Sequence, residues 1–447
     1  MANDDNSLLG RVGRYARVGT SVGGLAVKLA GERYLGLSID RDRHAADLRS
    51  ALGGLKGPLM KAAQLLSTIP DALPPEYARE LAQLQSDAPS MGWPFVKRRM
   101  AGELGPAWAS RFAGFEKTAA AAASLGQVHR ATLHDGTAVA CKLQYPDMAS
   151  ALEADLTQLR TVFAIGRRMD GAIRTGEVFA EIAERLREEL DYRREARHAK
   201  LYAAMLADEP HVHVAPIVDD LSTGRLLVMR WLDGDKLLTW KERPQADRDR
   251  LALNMFRAWY VPFYFFGVIH GDPHLGNYTV RPDGDVNLMD FGCVRIFPPR
   301  FVKGSIDLYK ALLADDEELA VAAYELWGFK DLSREMIRAL NRWAGFLYGP
   351  LMDDRPRTIA EGVAGQYGRE TAHAVFAEIR KMGGVTVPRE FVFMDRAAIG
   401  LGSVFLHLKA EINWYRLFQE MIGDFDVDVV AKRQADALAA VGLVAGA

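Results

Sequence analysis

The chain is poor in cysteine, has no excess of charge of one sign, and lacks a long uninterrupted apolar run. Only Cys141 and Cys293 are cysteines among its 447 residues, too few for a disulfide framework or a zinc site. The 56 basic and 58 acidic residues give a formal net charge of −2, without the basic excess typical of nucleic-acid binding. These absences argue against a disulfide-rich secreted protein and a nucleic-acid partner, and favour a reducing compartment.

Membrane insertion is also disfavoured by the sequence. The most apolar stretch, residues 251–269, is interrupted by Arg257 and Pro262, so we expect a buried core helix there. Asp4 and Asp5 precede any apolar run, which argues against a secretory signal. We therefore expect a cytoplasmic location.

The first 36 residues form a basic amphipathic segment, with arginine and lysine interleaved among valine and leucine. This pattern is typical of a segment that lies on an anionic surface, here the inner face of a membrane. It is equally typical of a helix that packs on its own domain and turns a basic face to solvent. The sequence leaves both interpretations open.

The remaining chain divides into three regions. Residues 37–110 have helical patterns, and residues 111–235 contain a hairpin, in which Gln127–Leu133 and Thr137–Gln144 flank a His-Asp-Gly turn. Residues 236–447 are mainly helical, with a helix over 245–269 that is kinked or restarted at Pro262, and two short strands before residue 290. This order predicts an α+β, two-lobed protein-kinase-like fold with a helical N-terminal extension and a mostly helical C-terminal lobe.

Two short motifs name a chemistry. Residues 270–277 read HGDPHLGN, which contains H-x-D-x-x-x-x-N, and residues 290–292 read DFG. In kinases these loops orient the nucleophile and hold magnesium. Asp272 is therefore the candidate base, Asn277 and Asp290 are candidate Mg²⁺ ligands, and His270 is expected to make structural hydrogen bonds. The implied cofactors are ATP and Mg²⁺.

The predicted hairpin supplies the next component. Val139-Ala140-Cys141-Lys142 matches the V-A-I-K strand whose lysine holds the α- and β-phosphates. One acid of the run 188–196 should pair with Lys142, and the i, i+4 spacings there place several acids near one helical face. The three candidates are Glu189, Asp191 and Glu195. An exposed helix with interleaved charges is the alternative.

The nucleotide-covering loop differs from that of ordinary kinases. Ala121, Ala122, Ala123 and Ser124 occupy the place of a glycine-rich loop just before the hairpin. Alanine disfavours positive φ, so close backbone approach to phosphate is limited, and the run forms either such a loop or a helical turn. Together with Lys142, two residues of the β-type run 226–231 complete the nucleotide-binding candidates: Met229 and Trp231.

The substrate side departs further from protein kinases. No A-P-E sequence follows the DFG motif, and helical periodicity resumes by Pro299. Gly271 replaces the arginine that binds the phosphorylated activation loop in conventional kinases. A conventional protein kinase is therefore disfavoured.

Taken together, these motifs resemble the UbiB/AarF family of atypical kinases. Its K-x-G-Q motif corresponds to Lys61-Ala62-Ala63-Gln64, with alanine in place of the glycine. Its A-A-A-S loop corresponds to Ala121–Ser124, and its E-x-D motif to Glu189-Leu190-Asp191. The histidine loop and DFG complete the match.

The resemblance implies an ATPase or small-molecule kinase that binds adenine nucleotide with Mg²⁺ and supports ubiquinone or other prenyl-lipid metabolism at membranes. It implies that Lys61 and Gln64 approach Glu189 and Asp191 over the site, which makes Glu195 the partner of Lys142. The sequence shows no C-terminal transmembrane hairpin like that of some bacterial members.

Two other functions remain open on sequence grounds. A pseudokinase that binds nucleotide and acts as a lipid-associated chaperone or scaffold fits the alanine loop. A phosphotransferase of the aminoglycoside or choline type shares H-x-D-x-x-x-x-N but lacks the Lys61–Gln64 and Ala121–Ser124 elements.

Overall fold

The structure is a computed structural model that describes residues 91–122, 125–146, 148–150, 152–153, 156–157, 183–359, 375, 378 and 388–444. The basic N-terminal segment, Lys61 and Gln64 lie outside these described residues, as do Ala123 and Ser124. The chain forms two compact units, one reaching Arg194 and including Val218–Trp231, the other made of Glu195–Ile217 and Leu232–Ala447.

The first unit is built on an antiparallel sheet. Its strands are β1 (Gly114–Phe115), β2 (Ala121–Ala122), β3 (Gly126–Thr132), β4 (Ala138–Gln144) and β6 (Leu226–Arg230). Strand β3 pairs with β1, β2 and β4, and β4 also pairs with β6. The predicted hairpin is therefore confirmed, with Val128 opposite Lys142.

Alternation along β4 explains which side chains enter the core of the first unit. Val139, Cys141 and Leu143 are buried, whereas Lys142 between them is half-buried. Because successive side chains point to opposite faces of a strand, Lys142 lies on the face opposite the core. Helix α1 (Trp93–Leu104) contributes Val96 and Met100 to the same core cluster.

Helix α2 (Tyr192–Met205) contains the division between the units, because Arg194 belongs to the first and Glu195 to the second. The second unit contains β5 (Val212–Val214), β7 (Asp235–Lys236), β9 (Tyr278–Val280) and β10 (Val286–Leu288), which form one sheet in the order β5-β10-β9-β7. A separate ribbon pairs β8 (Val268–His270) with β11 (Val294–Ile296).

Helices make up most of the second unit. They are α3 (Gln245–Phe266), α4 (Pro299–Ala314), α5 (Glu317–Leu326), α6 (Arg334–Tyr348), α7 (Arg389–Leu408), α8 (Trp414–Ile422) and α9 (Val427–Ala440). Their apolar faces share one large core with the strands, in which Trp240, Trp259 and Trp414 are almost fully buried. The α+β kinase-like architecture with a helical C-terminal region is confirmed.

The helix expected over 245–269 is partly wrong. Helix α3 runs through Pro262 without restarting and ends at Phe266. The last two residues of the apolar run, Val268 and Ile269, belong to strand β8 instead, because their backbone groups pair with β11. The end of α3 and strand β8 are both apolar, so composition alone could not separate the helix from the buried strand that follows it.

The prediction that several acids of the run 188–196 share one helical face is also wrong. Residues 183–188 are helical, residues 189–190 form a turn, and α2 begins only at Tyr192. The Asp191 carboxylate accepts a hydrogen bond from the Arg194 N–H at 3.0 Å, as a helix N-cap residue does. Glu189 and Asp191 therefore precede the helix that contains Glu195.

Candidate functional site

The two motif loops extend from the β8–β11 ribbon. The HGDPHLGN loop leaves β8 at His270, and the DFG loop enters β11 just before Val294. The Gly271 N–H donates to the Cys293 carbonyl at 2.6 Å, which continues the ladder beyond the strands. Gly271 and Cys293, 22 positions apart in sequence, are thereby held side by side in the second unit.

Close packing explains why position 271 has no side chain. A Cβ placed on Gly271 would lie 2.8 Å from the Cys293 sulfur and 3.0 Å from its carbonyl oxygen. Contacts this short require Cys293 to shift. The glycine that replaces the kinase arginine is thus favoured by the close approach of Cys293, which follows the DFG motif.

Asp272 and Asn277 contact each other directly. The Asn277 Nδ2 donates to the Asp272 carboxylate oxygen Oδ2 and to its backbone oxygen, each at 3.1 Å. A 3₁₀ turn, Leu275–Asn277, folds the chain so that Asn277 returns to Asp272, five residues earlier. At the start of this turn the His274 ring accepts a hydrogen bond from the Gly276 N–H. Because the amide nitrogen of Asn277 is directed to Asp272, its oxygen is oriented away and suits a cation.

His270 connects the two loops. Its Nε2 lies 2.6 Å from the backbone carbonyl of Asp290, and its Nδ1 accepts from the Asp272 N–H at 3.3 Å. Both bonds are satisfied when the hydrogen is on Nε2. The expected structural role of His270 is confirmed, since its ring is buried against Trp259 and Phe291.

Asp290 has an unusual backbone conformation. Its φ is 64°, in the left-handed region that aspartate tolerates better than most residues, and its Oδ1 accepts from the Gly292 N–H at 3.1 Å. The residue is exposed. Non-glycine residues in this region concentrate at functional sites, where the surrounding structure holds them.

Glu195 lies beside this loop. A Cβ placed on Gly292 would be 3.3 Å from Asp290 Oδ1 and 3.9 Å from Glu195 Oε2, so the two carboxylates border the same glycine. Glu195 is only 3% exposed. Of the three acids considered, Glu195 is therefore the one that the structure brings to the DFG loop within the second unit.

The first unit holds the other candidates around one sheet. Lys142 pairs with Leu227 of β6, and its Nζ lies 5.3 Å from the ring centroid of Tyr192. Met229 is opposite Ala140, one strand over from the hairpin. Pairing of Lys142 with Glu195, which belongs to the second unit, stays a prediction.

Trp231 has a partner within the first unit. The Arg130 guanidinium lies 4.9 Å from the centroid of its ring. Such a cation–π contact stabilises the half-buried indole without any ligand. A role of Trp231 in nucleotide binding stays a prediction.

The alanine loop begins as a strand. Ala121 pairs with Val128 and Ala122 pairs with Gln127, which makes the run an edge strand on β3. The alternative of a helical turn is therefore wrong for these two residues. Backbone pairing with β3 outweighs the helical propensity of alanine here, because the strand adds hydrogen bonds across the sheet.

Three further residues contact the two loops but belong to no motif recognisable in the sequence. The His198 Nδ1 lies 3.2 Å from the Phe291 carbonyl, which fixes the DFG loop from α2. Burial, with a smaller contribution from Cys293, raises the pKa of Tyr202 well above 10, and its ring packs on Phe291 at 5.0 Å. A Cβ on Gly400 of α7 would lie 2.0 Å from Pro273 Cγ.

Magnesium fits the oxygen donors that the loops provide. Mg²⁺ prefers oxygen ligands and commonly uses one or two carboxylates together with substrate phosphates. The Asn277 side-chain oxygen and the exposed Asp290 carboxylate are ligands of this type. Among the described residues no group of three or more His, Cys, Asp and Glu side chains gathers as a metal cluster.

The strand-paired loops and the helical unit around them define a kinase-like protein, and the comparisons with known proteins agree. A family model described as the ABC1 atypical kinase-like domain matches residues 83–324, more than half of the chain. The chain belongs to this family, also known by its UbiB/AarF members.

Curated relatives carry atypical-kinase names. The chain is 29% identical over 270 residues to AarF domain-containing protein kinase 1 of Xenopus laevis, covering 59% of this chain and 52% of that protein. It is 29% identical over 299 residues to the mitochondrial atypical kinase coq-8 of Caenorhabditis elegans, covering 64% of this chain and 39% of the relative. The chain thus spans about half the length, or less, of these relatives.

A solved structure supports the fold. It is described as the complex structure of Rv3197-erythromycin from Mycobacterium tuberculosis, and it matches at 27% identity with a TM-score of 0.60. The match covers 85% of this chain and 96% of that one. Among the described helices, none is both long and apolar enough to cross a membrane.

Proposed function

We propose that the protein is a Mg²⁺-dependent ATPase or kinase of the UbiB type. The observation that carries this proposal is the hydrogen bond from Asn277 to the Asp272 carboxylate beside an Asp290 that His270 holds through its backbone. A transferred γ-phosphoryl group needs an oriented nucleophile and positive charge on its oxygens more than covalent help. The two loops supply groups for both requirements.

Each residue has a role in this proposal. Asp272 orients the attacking hydroxyl or water and accepts its proton. Asn277 and Asp290 would hold Mg²⁺, which when bound neutralises charge on the phosphate oxygens. Lys142 binds the α- and β-phosphates, with Glu195 as its counter-charge. The remaining assigned residues are those for nucleotide binding, Ala121, Ala122, Ala123, Ser124, Met229 and Trp231, and those expected to close the site, Lys61, Gln64, Glu189 and Asp191.

The route of the chain after the DFG motif supports a non-protein acceptor. Strand β11 begins at Val294, only two residues after Gly292, and α4 begins at Pro299. Only residues 293–298 separate Gly292 from α4, which leaves little room for a peptide-docking activation loop. The acceptor is therefore proposed to be a small molecule or water.

The relatives suggest the pathway. A name such as the mitochondrial atypical kinase coq-8 supports a role in ubiquinone or other prenyl-lipid metabolism. We accordingly propose a cytoplasmic protein in peripheral contact with the inner membrane surface. Co-sedimentation with anionic liposomes, before and after removal of residues 8–35, tests this contact, and equal sedimentation of both proteins would exclude that segment as its cause.

ATP turnover tests the chemistry. Asp290→Asn keeps the size of the side chain but weakens a metal ligand, so turnover of Mg·ATP should fall at least about a hundredfold. Asp283→Asn is the matched control, because Asp283 is exposed on the turn between β9 and β10. Turnover that is equal in wild type, Asp290→Asn and Asp283→Asn would exclude the proposed site.

The alternative function is a nucleotide-binding pseudokinase that acts as a lipid-associated scaffold. The edge strand Ala121–Ala122 favours it, since two Cβ atoms restrict backbone approach to phosphate. A pseudokinase would be stabilised thermally by ADP yet show no turnover above that of Asp290→Asn. If the alanine loop limits nucleotide approach, Ala121→Gly should raise ADP affinity, and unchanged affinity would place the loop away from the phosphates.

A further inference from the structure

A cavity lies within the second unit, and neither Asn277 nor Asp290 is among its lining residues. Helices α3, α4, α6 and α7 contribute to its wall, and its empty space, including the open mouth, is about 800 Å³. Because that volume includes solvent at the mouth, the enclosed part is smaller and suits a compact molecule. Among the lining residues are Trp259, Trp327, Trp343, Tyr264, Tyr348 and Leu401.

The wall is aromatic and uncharged. Every lining residue is apolar or carries a neutral hydroxyl or indole, and Trp259, Trp327 and Trp343 are each less than 5% exposed. Indole and phenol rings pack favourably against the faces and edges of other aromatic rings. An ionised ligand would lose its hydration here without meeting an opposite charge, which is costly.

Hydroxyl groups meet at one part of this wall. The Tyr348 hydroxyl donates to the Ser305 backbone oxygen at 2.9 Å. Burial raises the pKa values of Tyr264 and Tyr348 above the usual value of 10, while the nearby Ser305 opposes both shifts. The Ser305 Oγ is itself buried; it lies near the Tyr264 and Tyr348 hydroxyls, but among the described residues no contact to it meets strict hydrogen-bond geometry.

These features select a ligand chemistry. A buried hydroxyl without a good partner loses free energy that a ligand oxygen would restore. The surrounding rings favour an apolar, flat body, and the lack of charge in the wall disfavours anions and cations. Open apolar space inside a core also reduces stability, which gives a bound molecule a further favourable contribution.

We propose that this cavity is a binding site for a compact, uncharged aromatic molecule that has a hydroxyl or carbonyl group directed to Ser305. The site is separate from nucleotide chemistry, so it stands even if the proposed ATPase activity fails. Ile269, which also lines the cavity, directly precedes His270, so the ligand would bind next to the base of the catalytic loop.

Calorimetric titration with 1-naphthol and 1-naphthoate tests the site. The two probes share one bicyclic body, but the second is an anion at neutral pH. We expect 1-naphthol to bind at least about tenfold more tightly, because the anion would be desolvated without a counter-charge. The titration uses the full chain without nucleotide. Equal affinity for the two probes would overturn the proposal.

Paired variants locate the binding. Ala344→Phe adds a ring to the cavity wall and should weaken 1-naphthol binding at least about tenfold, because it occupies the ligand space. Ala322→Phe, at an exposed position of α5, is its control and should leave binding unchanged.

A milder variant keeps the test informative if Ala344→Phe does not fold. Ser305→Ala removes only the hydroxyl and should weaken 1-naphthol about twofold to tenfold, as expected for one hydrogen bond. Ser403→Ala, at an exposed position of α7, is its control. Binding that survives both Ala344→Phe and Ser305→Ala, in variants that melt cooperatively, would show that 1-naphthol binds elsewhere and overturn the assignment.

Discussion

The Nε2 of His270 lies 2.6 Å from the backbone carbonyl oxygen of Asp290, so one imidazole ring joins the loop of the proposed base to the loop of a proposed metal ligand. The other ring nitrogen accepts from the N–H of Asp272. Asp290 has a left-handed φ of 64°, a conformation that needs support from its surroundings. His270 supplies that support from a buried position.

Removal of this link should impair turnover. His270→Ala leaves the Asp290 carbonyl and the Asp272 N–H without their ring partner, a loss worth about 1–3 kcal/mol for a buried group. We expect a roughly tenfold to hundredfold fall in Mg·ATP turnover. His407→Ala is the control, because His407 is exposed and its ring contacts the Ser403 carbonyl within α7. Equal turnover in the two variants would contradict a positioning role for His270.

Restoring the missing arginine should harm the protein and not convert it to a protein kinase. In Gly271→Arg the Cβ would meet the Cys293 sulfur at 2.8 Å and its carbonyl oxygen at 3.0 Å, so Cys293 must shift. We expect a melting temperature several degrees lower, since overpacking costs about 1–3 kcal/mol. Thermal melts and turnover assays measure both effects. A variant as stable as wild type, with peptide phosphorylation, would refute the account of position 271.

The two thiols should differ in reactivity. Burial raises the pKa of Cys141 to about 12, and its side chain is fully buried on β4, whereas Cys293 is half-buried. Thiolates are the reactive species, so native protein at pH 8 should incorporate iodoacetamide at Cys293 and not at Cys141. Mass spectrometry of native Cys293→Ser should show no labelling. Labelling of Cys141 in the folded protein would contradict its place in the sheet core.

The carboxylate of Asp285 should stabilise the second unit except in acid. Burial acts to raise its pKa, but hydrogen bonds from His213 and His211 together lower it below 3.8. A depressed folded-state pKa stabilises the native protein above the unfolded value, and this stabilisation disappears as pH falls through the folded value. Asp285→Asn should therefore lower the urea midpoint at pH 7, and its difference from wild type should begin to shrink below about pH 4 and vanish as pH falls through the lower folded-state value. If the urea midpoints of wild type and Asp285→Asn differed by the same amount from pH 7 into acid, the stabilising role of this carboxylate would be contradicted.

Local patterns were sufficient for much of the fold. The β-type runs Gln127–Leu133 and Thr137–Gln144 and the His-Asp-Gly turn between them predicted β3, β4 and their pairing from short-range signals. Strand β8 could not be separated from α3, because its strand character comes from β11, which lies about 25 residues later in the chain. The break before α2 could not be predicted, because the interleaved charges of this run obscure the N-cap signal of Asp191.

In the candidate site, too, local sequence patterns identify some residues but not those placed by long-range contacts. Motif spacing identified Asp272 and Asn277, and the structure brings them into direct contact. The roles of Gly400 and His198 were not predictable, since Gly400 contacts Pro273 from a helix 127 positions away and His198 contacts the backbone of Phe291. Contacts of this kind depend on tertiary packing and leave no local pattern.

The central claim is that the two loops bind nucleotide through magnesium, and ADP titration tests it most directly. Calorimetry should compare wild type and Asp290→Asn, each with Mg²⁺ and with EDTA. We predict that Mg²⁺ tightens ADP binding at least about tenfold in wild type, equivalent to about 1.4 kcal/mol, and much less in the variant. An ADP affinity that is the same with Mg²⁺ and with EDTA in wild type, or an equal Mg²⁺ effect in both proteins, would contradict the claim.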